Sequence, residues 1–190
     1  MRAAVILAAG ASRRFGAANK LLVHHRGRPL LDRALKAALS APVGTVLVVA
    51  GFDRRRIDTV VRNFGSSRIR LVNAPNHREG RWASLYAGLS ALPAGIDEAF
   101  VLLGDSPLVP RGIFARLLGA ASPGTIAVRP FYRDVPGHPV LIRDIAAVMA
   151  QLEAGRPPLA GSEVVSIAAG RGVVYDIDRP GDLRGARVTS

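Results

Sequence analysis

The chain has 190 residues, and 26 Lys and Arg against 14 Asp and Glu give it a formal charge of +12. Hydrophobic residues make up 49%, enough for a packed core, so the composition excludes a disordered or collagen-like chain. No cysteine is present, which excludes disulfides and thiol chemistry and is typical of a cytoplasmic protein, and the longest apolar run, 3–11, is far shorter than the roughly 20 residues of a membrane span.

Arginine supplies almost all of the positive charge, because Lys20 and Lys36 are the only lysines. The basic residues are scattered in ones and twos, apart from the run at 54–56, and only 5% of residues are aromatic. A nucleic-acid groove needs a clustered basic face, with aromatic rings to stack on bases. We therefore expect a solvated basic surface, with anionic small molecules as partners, rather than nucleic acid or a membrane.

Short apolar runs alternate with amphipathic helical patterns along the chain. The runs predict buried strands over 3–8, 45–50, 69–73, 99–103 and 125–128. Helices are predicted after Pro29, after Asp53 as a candidate N-cap, behind Ser84 and behind Pro110. The last third predicts strands over 138–142 and 172–177 around a helix at 144–152. This order predicts an α/β fold: one domain over 1–190 with a mostly parallel sheet covered on both faces.

The turn after the first strand is rich in small residues. It reads Leu-Ala-Ala-Gly-Ala-Ser-Arg-Arg over 7–14 and reaches Lys20 six residues later. Small side chains let backbone N–H groups approach a polyphosphate, whose charge Arg14 and Lys20 can neutralise. The pattern matches neither the Walker motif nor the dinucleotide fingerprint, and taken alone it is also typical of an ordinary strand-to-helix turn.

Two further segments place carboxylates after predicted strands. Asp105 follows the fourth strand in Gly-Asp-Ser-Pro, where it suits a magnesium ion on a triphosphate or, alternatively, an Asx turn. Asp176 and Asp178 alternate at the end of the last predicted strand, a spacing that points both to one face. The two carboxylates are either a second contact to the metal ion or part of an edge strand that faces solvent.

These segments together resemble the MobA/MocA-like nucleotidyltransferases. The resemblance rests on Leu-Ala-Ala-Gly-x-Ser-x-Arg with Gly16 and Lys20, Gly-Asp-x-Pro at 104–107, and Asp-Ile-Asp-x-Pro-x-Asp-Leu at 176–183. Gly-His-Pro-Val-Leu at 137–141 and Gly80 with Ser84-Leu85 match further family segments, so the resemblance spans nearly the whole chain. It implies a Rossmann-like three-layer domain that transfers a nucleoside monophosphate from a nucleoside triphosphate to a phosphorylated acceptor, with Mg²⁺ as cofactor and release of pyrophosphate.

The resemblance also implies roles for individual residues. Ala9, where guanylyltransferases usually carry a further glycine, favours CTP over GTP. The implied catalytic residues are Arg14, Lys20 and Asp105, and the implied metal ligands are Asp105 and Asp178, with Asp176 as a possible helper. The nucleotide would contact Leu7, Ala8, Ala9, Gly10, Ser12, Arg14, Lys20 and Gly104, and the acceptor would contact Arg81, Trp82, Ser84 and His138.

The acceptor side departs from the family pattern. Residues 80–85 read Gly-Arg-Trp-Ala-Ser-Leu instead of Gly-Met-Ser-Ser-Ser-Leu, and 153–158 lack the family's Gly-Asp-x-Gly-Ala-Arg. Trp82 could stack on a flat acceptor such as a pterin, or lie half-buried under a loop. The favoured acceptor is a molybdenum-pterin phosphate, with a molybdoenzyme as the implied protein partner. A sugar phosphate, another phospho-alcohol, or a non-catalytic nucleotide-binding regulator or chaperone are the alternatives.

Overall fold

The computed structural model describes residues 1–12, 15, 18–159, 161 and 163–184. Helices and strands alternate along this part of the chain, and short 3-10 helices occur at Lys20–Leu22, His77–Glu79, Arg171–Val174 and Pro180–Arg184. The strands are β1 (Arg2–Leu7), β2 (His24–His25), β3 (Arg28–Pro29), β4 (Thr45–Ala50), β5 (Ile69–Asn73), β6 (Glu98–Leu103), β7 (Ala127–Tyr132), β8 (Val135–Pro136), β9 (Val140–Ile142) and β10 (Val164–Ala168). The α-helices are α1 (Leu31–Ser40), α2 (Arg54–Phe64), α3 (Arg81–Ser90), α4 (Ile113–Gly119) and α5 (Ile145–Glu153).

One large sheet organises the fold, in the strand order β10-β7-β9-β6-β1-β4-β5, with β8 paired to β7. β1 pairs in parallel with both β4 and β6, β4 with β5, and β10 with β7. β9 runs antiparallel between β6 and β7, and β8 is antiparallel to β7. The sheet is therefore mixed but mostly parallel, as the alternating pattern predicted.

Helices cover both faces of the sheet. Along β1 the side chains of Ala4 and Ile6 join a core cluster with α1, α2 and α4, whereas Val5 joins a second cluster with α3 and α5. This alternation is the period of two that a strand imposes on its side chains. Gly88 lets α3 lie close to the sheet, since a Cβ there would come within 2.6 Å of Val5. The three-layer, Rossmann-like architecture is confirmed.

The register of the central strands decides where loops meet. Leu7 at the end of β1 pairs with Leu103 at the end of β6 and with Val49 in β4. β4, the strand that follows β1 in the large sheet, lies on one side of β1, whereas β6 lies on its other side, so the loops after β1 and β6 begin next to each other. Such a switch point at the carboxyl ends of parallel strands is where α/β proteins bind ligands.

The predicted elements are confirmed except for the strand over 172–177; β9 and α5 lie where a strand over 138–142 and a helix over 144–152 were predicted. The first four strands each lie within a residue of their predicted bounds, and the fifth begins at Ala127 and extends to Tyr132. The helix predicted behind Ser84 begins three residues earlier, at Arg81. Asp53 does precede α2, but its left-handed backbone leaves the side chain without a cap hydrogen bond, and the carboxylate pairs with Arg56 instead. Arg54 to Arg56 are exposed, as expected.

The strand predicted over 172–177 is wrong. This segment begins as the 3-10 helix Arg171–Val174 and continues in extended backbone outside the sheet ladder. The place beside β7 is filled instead by β10, which the sequence analysis did not predict. Gly172 also packs so closely on the Leu108 carbonyl that a Cβ would lie 2.2 Å from it. The argument that a strand period aligns Asp176 with Asp178 therefore fails.

No helix in the part of the chain that the structure describes has the length and apolar character needed to cross a bilayer.

Glu98, the first residue of the central strand β6, is held by two arginines. Its carboxylate accepts hydrogen bonds from Arg2 Nε at 2.5 Å and from Arg143 Nε at 2.8 Å. Burial disfavours the charged carboxylate, but the hydrogen bonds and charges of Arg143 and Arg2 outweigh it, so the pKa of Glu98 lies below its ordinary value. The charged form thus stabilises the folded state above the ordinary Glu pKa, and this contribution is lost as the pH falls through the folded-state value.

We expect Glu98→Gln to lower the free energy of unfolding by about 1 kcal/mol at neutral pH, because the pair is only partly screened by solvent. The difference from wild type should shrink on acidification, as wild-type Glu98 becomes protonated too. Urea denaturation over a pH series measures both, with the exposed Glu163→Gln as control. A difference that stays constant with pH would contradict the assigned ion pair.

Candidate functional site

A cavity of about 540 Å³ opens at the carboxyl ends of β1 and β6. One wall is the turn after β1, another is the loop after β6, and the segment before and within α3 closes the third side. It is lined by Leu7, Ala8, Ala9, Gly10, Ala11, Ser12, Lys20, Leu21, His77, Arg78, Gly80, Arg81, Ser84, Leu103, Asp105 and Asp178. The register of Leu7 with Leu103 is what brings the first two walls together.

The turn after β1 is held in a closed loop by two polar side chains. Ser12 has a left-handed backbone, with φ of 51°, and its Oγ accepts a hydrogen bond from the Lys20 N–H at 3.2 Å. The buried Asn19 accepts from the Leu21 N–H at 3.1 Å and so caps the 3-10 helix Lys20–Leu22. These hydrogen bonds bring the chain back to the cavity, so that Lys20 lies in its lining. Asn19 was missed by the sequence analysis, although an Asn before a short apolar run is a common cap signal.

Arg14, a predicted catalytic and nucleotide-binding residue, lies outside the described residues, as does Gly16 of the same motif. Their predicted roles stay predictions.

Three charged side chains from distant parts of the chain meet at the cavity. Lys20 Nζ lies 2.5 Å from Asp105 Oδ2 and 3.0 Å from Asp178 Oδ1. The side chains of Lys20 and Asp105 are mostly buried, whereas that of Asp178 is 49% exposed. The two carboxylates predicted to share a metal ion therefore converge on one point, and the Lys20 ammonium group occupies that point.

Burial and charge act against each other on these groups. Burial disfavours the charged form of Lys20, but Asp105 and Asp178 more than compensate, so the pKa of the ammonium is raised. Burial raises the pKa of Asp105, and the nearby carboxylate of Asp176 adds to this effect, while Lys20 opposes it. The surroundings of Asp105 thus disfavour its charged form, and the positive charge of Lys20 offsets part of this effect.

Asp176 makes a different contact from Asp178. Its Oδ1 accepts a hydrogen bond of 2.6 Å from Ser106, which is buried directly after Asp105. The next residue, Ile177, is fully buried and donates its N–H to the Asp105 carbonyl at 3.1 Å. The segment around Asp176 is therefore tied to the loop that carries Asp105. Ser106 was another residue that the sequence analysis did not select.

Gly104, predicted to contact nucleotide, packs behind the cavity wall. Its N–H donates to the Leu7 carbonyl at 3.0 Å, and a Cβ would lie 3.3 Å from that oxygen and from Leu21. A glycine here lets the β1 and β6 loops lie against each other.

The predicted acceptor residues divide between two adjoining cavities. Ser84 is buried and lines the first cavity, near the small-residue turn. Trp82 and His138 line a second cavity of about 250 Å³, and Arg81 lines both. Leu7 and Leu103 are also shared, so the two cavities adjoin. The second has mostly apolar walls, and its polar groups come from Arg81, Arg129 and His138.

Trp82 and His138 differ in exposure. Trp82 is 37% exposed and lies under the Arg81 guanidinium, 5.2 Å from its ring centre. His138 is largely buried, and its Nδ1 lies 3.4 Å from the Val101 carbonyl. Burial lowers the pKa of His138 below its ordinary value.

His77 and Arg78 follow β5 and line the first cavity opposite the β1 turn. His77 fills the space over Gly51, where a Cβ would lie 2.3 Å from its ring. Its Nδ1 lies 3.0 Å from the Ala74 carbonyl, which fixes the ring. Neither residue is among the predicted site residues, although their position after a parallel strand was an available signal.

The residues present fit a divalent cation bound together with a polyphosphate. Across the described residues, no group of three or more His, Cys, Asp or Glu could hold a metal by itself. Magnesium commonly takes one or two protein carboxylates and completes its shell with water and substrate phosphates. The pair Asp105 and Asp178 has the composition of such a partial site.

A small-residue turn beside a carboxylate pair, at the switch point of a doubly wound sheet, defines a nucleotide-handling α/β protein. The chain belongs to the family described as the MobA-like NTP transferase domain, whose model matches residues 4–164. It is thus a member of a nucleotidyltransferase family, as the sequence resemblance predicted.

Two curated relatives are molybdenum cofactor enzymes. The chain is 28% identical over 138 residues to the molybdenum cofactor cytidylyltransferase of Escherichia coli strain K12, covering 73% of this chain and 68% of that one. It is 38% identical over 120 residues to the molybdenum cofactor guanylyltransferase of Acidiphilium cryptum strain JF-5, covering 62% of this chain and 57% of that one. The chain thus spans less than two thirds of the second relative.

Among solved structures, Rv0371c from Mycobacterium tuberculosis H37Rv is 25% identical, with a TM-score of 0.74 over 97% of this chain and 96% of that one. A structure of Rv0371c in complex with manganese has a TM-score of 0.69 at 23% identity and covers 97% of each chain.

Because Lys20 occupies the point on which both carboxylates converge, a divalent cation must compete with its ammonium group. We expect Lys20→Met to bind Mn²⁺ more tightly than wild type without nucleotide, by about fivefold, which corresponds to an ion pair of about 1 kcal/mol. Mn²⁺ titration followed by electron paramagnetic resonance measures this ratio. Lys36→Met removes the only other lysine, which is exposed on α1, and should leave the affinity unchanged. Weaker Mn²⁺ binding by Lys20→Met would contradict the assigned competition.

Proposed function

We propose that this chain transfers the nucleoside monophosphate of a nucleoside triphosphate, preferably CTP, to a phosphorylated small-molecule acceptor, a molybdenum-pterin phosphate, and releases pyrophosphate. The observation that carries the proposal is the meeting of Lys20, Asp105 and Asp178 beside the Ala8–Gly10 turn. These residues supply a phosphate-binding backbone, a cation for phosphate oxygens and a carboxylate pair for a metal. A regulator that only bound nucleotide would have little use for the carboxylate pair.

The reaction needs positioning and charge neutralisation more than covalent help from the protein. An oxygen of the acceptor phosphate attacks the α-phosphorus in line with the departing pyrophosphate, forming one P–O bond as another breaks. That oxygen is ionised at neutral pH, so no protein base or nucleophile is required, which accords with the absence of cysteine.

Asp105 and Asp178 would hold Mg²⁺, which when bound neutralises charge on the phosphates. The crystallisation of Rv0371c, a protein of the same fold, with manganese supports a divalent cation here. The ammonium of Lys20 would turn from the carboxylates to the phosphates, and Arg14 is proposed to act with it. The backbone of Ala8, Ala9, Gly10 and Ser12 would follow the triphosphate, with Leu7 and Gly104 supporting the turn.

Preference for CTP is proposed from the turn and from one relative. Ala9 lines the cavity, and its side chain is buried in the second core cluster. The family resemblance associates this alanine with cytidylyltransferases and a further glycine in the loop with guanylyltransferases. The cytidylyltransferase relative supports this choice, whereas the guanylyltransferase relative makes GTP the natural competitor in any assay.

The second cavity supports a flat acceptor rather than a sugar. Its walls include Leu85, Val101 and Val140 beside Trp82, whereas its charged groups are the guanidinium groups of Arg81 and Arg129. A sugar presents hydroxyl groups all around its ring, and apolar walls would leave many of them unpaired. A pterin can stack on apolar and aromatic surfaces while Arg81 and His138 meet polar atoms. Arg81 lines both cavities and would meet the acceptor phosphate, whereas Ser84 lines the first cavity.

A matrix of the four nucleoside triphosphates against phosphorylated acceptors tests the proposal. The acceptors are molybdenum-loaded molybdopterin, a hexose 1-phosphate and a pentitol phosphate, each with Mg²⁺, and pyrophosphate release is measured together with the mass of the product. We expect turnover with CTP and molybdenum-loaded molybdopterin, and lower kcat/KM with GTP. Turnover only with a sugar phosphate would replace the acceptor, and nucleotide binding without pyrophosphate release from any acceptor would favour a regulator.

Asp105→Asn should preserve the fold but lower kcat/KM by at least about a hundredfold, because the neutral amide is a poor partner for a divalent cation. Steady-state kinetics and the thermal midpoint measure the two effects separately. Asp134→Asn, in the exposed turn between β7 and β8, provides a matched control with the same chemical change. Near-normal kinetics for Asp105→Asn would overturn the metal assignment.

A further inference from the structure

The segment that carries Asp178 is irregular backbone, so something other than a strand or helix must hold its carboxylate in place. Asp178 follows the fully buried Ile177, whose N–H is tied to the Asp105 carbonyl, and precedes the exposed Arg179 and Pro180. A partly exposed carboxylate on such a segment contributes little to a metal site unless its backbone is fixed.

Asp182 fixes that backbone. Its Oδ2 accepts hydrogen bonds from the Asp178 N–H at 2.9 Å and from the Arg179 N–H at 2.7 Å. Its own N–H donates to the Arg179 carbonyl at 3.0 Å. One carboxylate oxygen therefore holds the peptide groups on both sides of the Asp178 side chain.

A second contact holds Asp182 itself. The Tyr175 hydroxyl donates to the Asp182 carbonyl at 2.7 Å, and Tyr175 and Leu183 pack against a small core of Leu30 and Ile177. These contacts therefore join the two ends of the segment from Tyr175 to Leu183. Its anchor to the rest of the fold is the buried Ile177, next to Asp178.

We infer that Asp182 is a positioning residue for the divalent cation: it holds Asp178 in the orientation that faces Asp105 and Lys20. The inference rests on the proposed function for the identity of the group that Asp178 binds. Asp182 lies outside the lining of the cavity and acts through the backbone of Asp178. The position of Asp182 Oδ2, which accepts the two hydrogen bonds, is what this role requires, and the charge of the Asp182 carboxylate is secondary.

The test is Mn²⁺ binding without nucleotide, followed by electron paramagnetic resonance on the full chain. Loss of an outer-shell partner typically costs 10–100-fold in metal affinity. We expect Asp182→Ala to weaken Mn²⁺ binding by at least about tenfold. Asp182→Asn keeps an oxygen in the same place and should bind within about twofold of wild type, whereas Asp182→Glu keeps the charge but displaces the oxygen and should behave like Asp182→Ala.

Asp144→Ala controls for a general loss of stability. Asp144 caps α5, its Oδ1 accepting from the Ala147 N–H at 2.8 Å, so the variant loses the same kind of bond away from the site. We expect it to lower the thermal midpoint without changing Mn²⁺ affinity. If Asp144→Ala and Asp182→Ala weaken Mn²⁺ binding equally, Asp182 acts only through stability and the inference is overturned.

The remaining outcomes are also decisive. Wild-type Mn²⁺ affinity in Asp182→Ala, or tighter binding by Asp182→Glu than by Asp182→Asn, overturns the inference. If Asp182→Ala fails to fold by circular dichroism, the Asn and Glu variants carry the test alone. Absence of Mn²⁺ binding to wild type would overturn both this inference and the proposed metal site. Normal Mn²⁺ binding without transfer to any acceptor would overturn only the proposed function.

Discussion

The ion pairs between Lys20 and the carboxylates of Asp105 and Asp178 are the interaction on which the site depends. The three side chains come from the β1 loop, the β6 loop and the segment after Val174, so they meet only if all three are correctly placed. Burial raises the pKa of Asp105, and Lys20 offsets part of that effect. The fold thus keeps a carboxylate in a place that disfavours its charge, where a cation gains most from binding it.

The sheet provides the first part of this placement. Leu7 and Leu103 are register partners, so the loops that follow them must leave the sheet side by side. Small residues allow the loops to touch: Gly104 lies against the Leu7 carbonyl, and Gly88 brings α3 close enough to form the third wall. The site is therefore a consequence of strand register and close packing at the point where the chain changes sides of the sheet.

Polar side chains that hold loop backbone or neighbouring carboxylates in place provide the rest. Ser12 and Asn19 close the β1 loop, Ser106 binds Asp176, and Asp182 holds the backbone next to Asp178. Each of them satisfies a group of irregular backbone or a neighbouring carboxylate, which would otherwise be free to move. Sequence motifs do not reveal these supporting hydrogen bonds, because the bonds join residues as many as 70 positions apart.

The sequence by itself determined the alternating α/β order, the mostly parallel sheet and the nucleotidyltransferase resemblance, because apolar periodicity and the spacing of Lys20, Asp105 and Asp178 are local or linear patterns. It led to a wrong strand over 172–177 and missed β10, because apolar runs of five or six residues compete for one place at a sheet edge and only packing decides between them. The tertiary structure alone decided that Ser84 and His138 belong to different cavities, and that Asp176 binds Ser106 while Asp178 meets Lys20. Those outcomes depend on distances between loops, which are set by strand register and by buried glycines rather than by any single stretch of sequence.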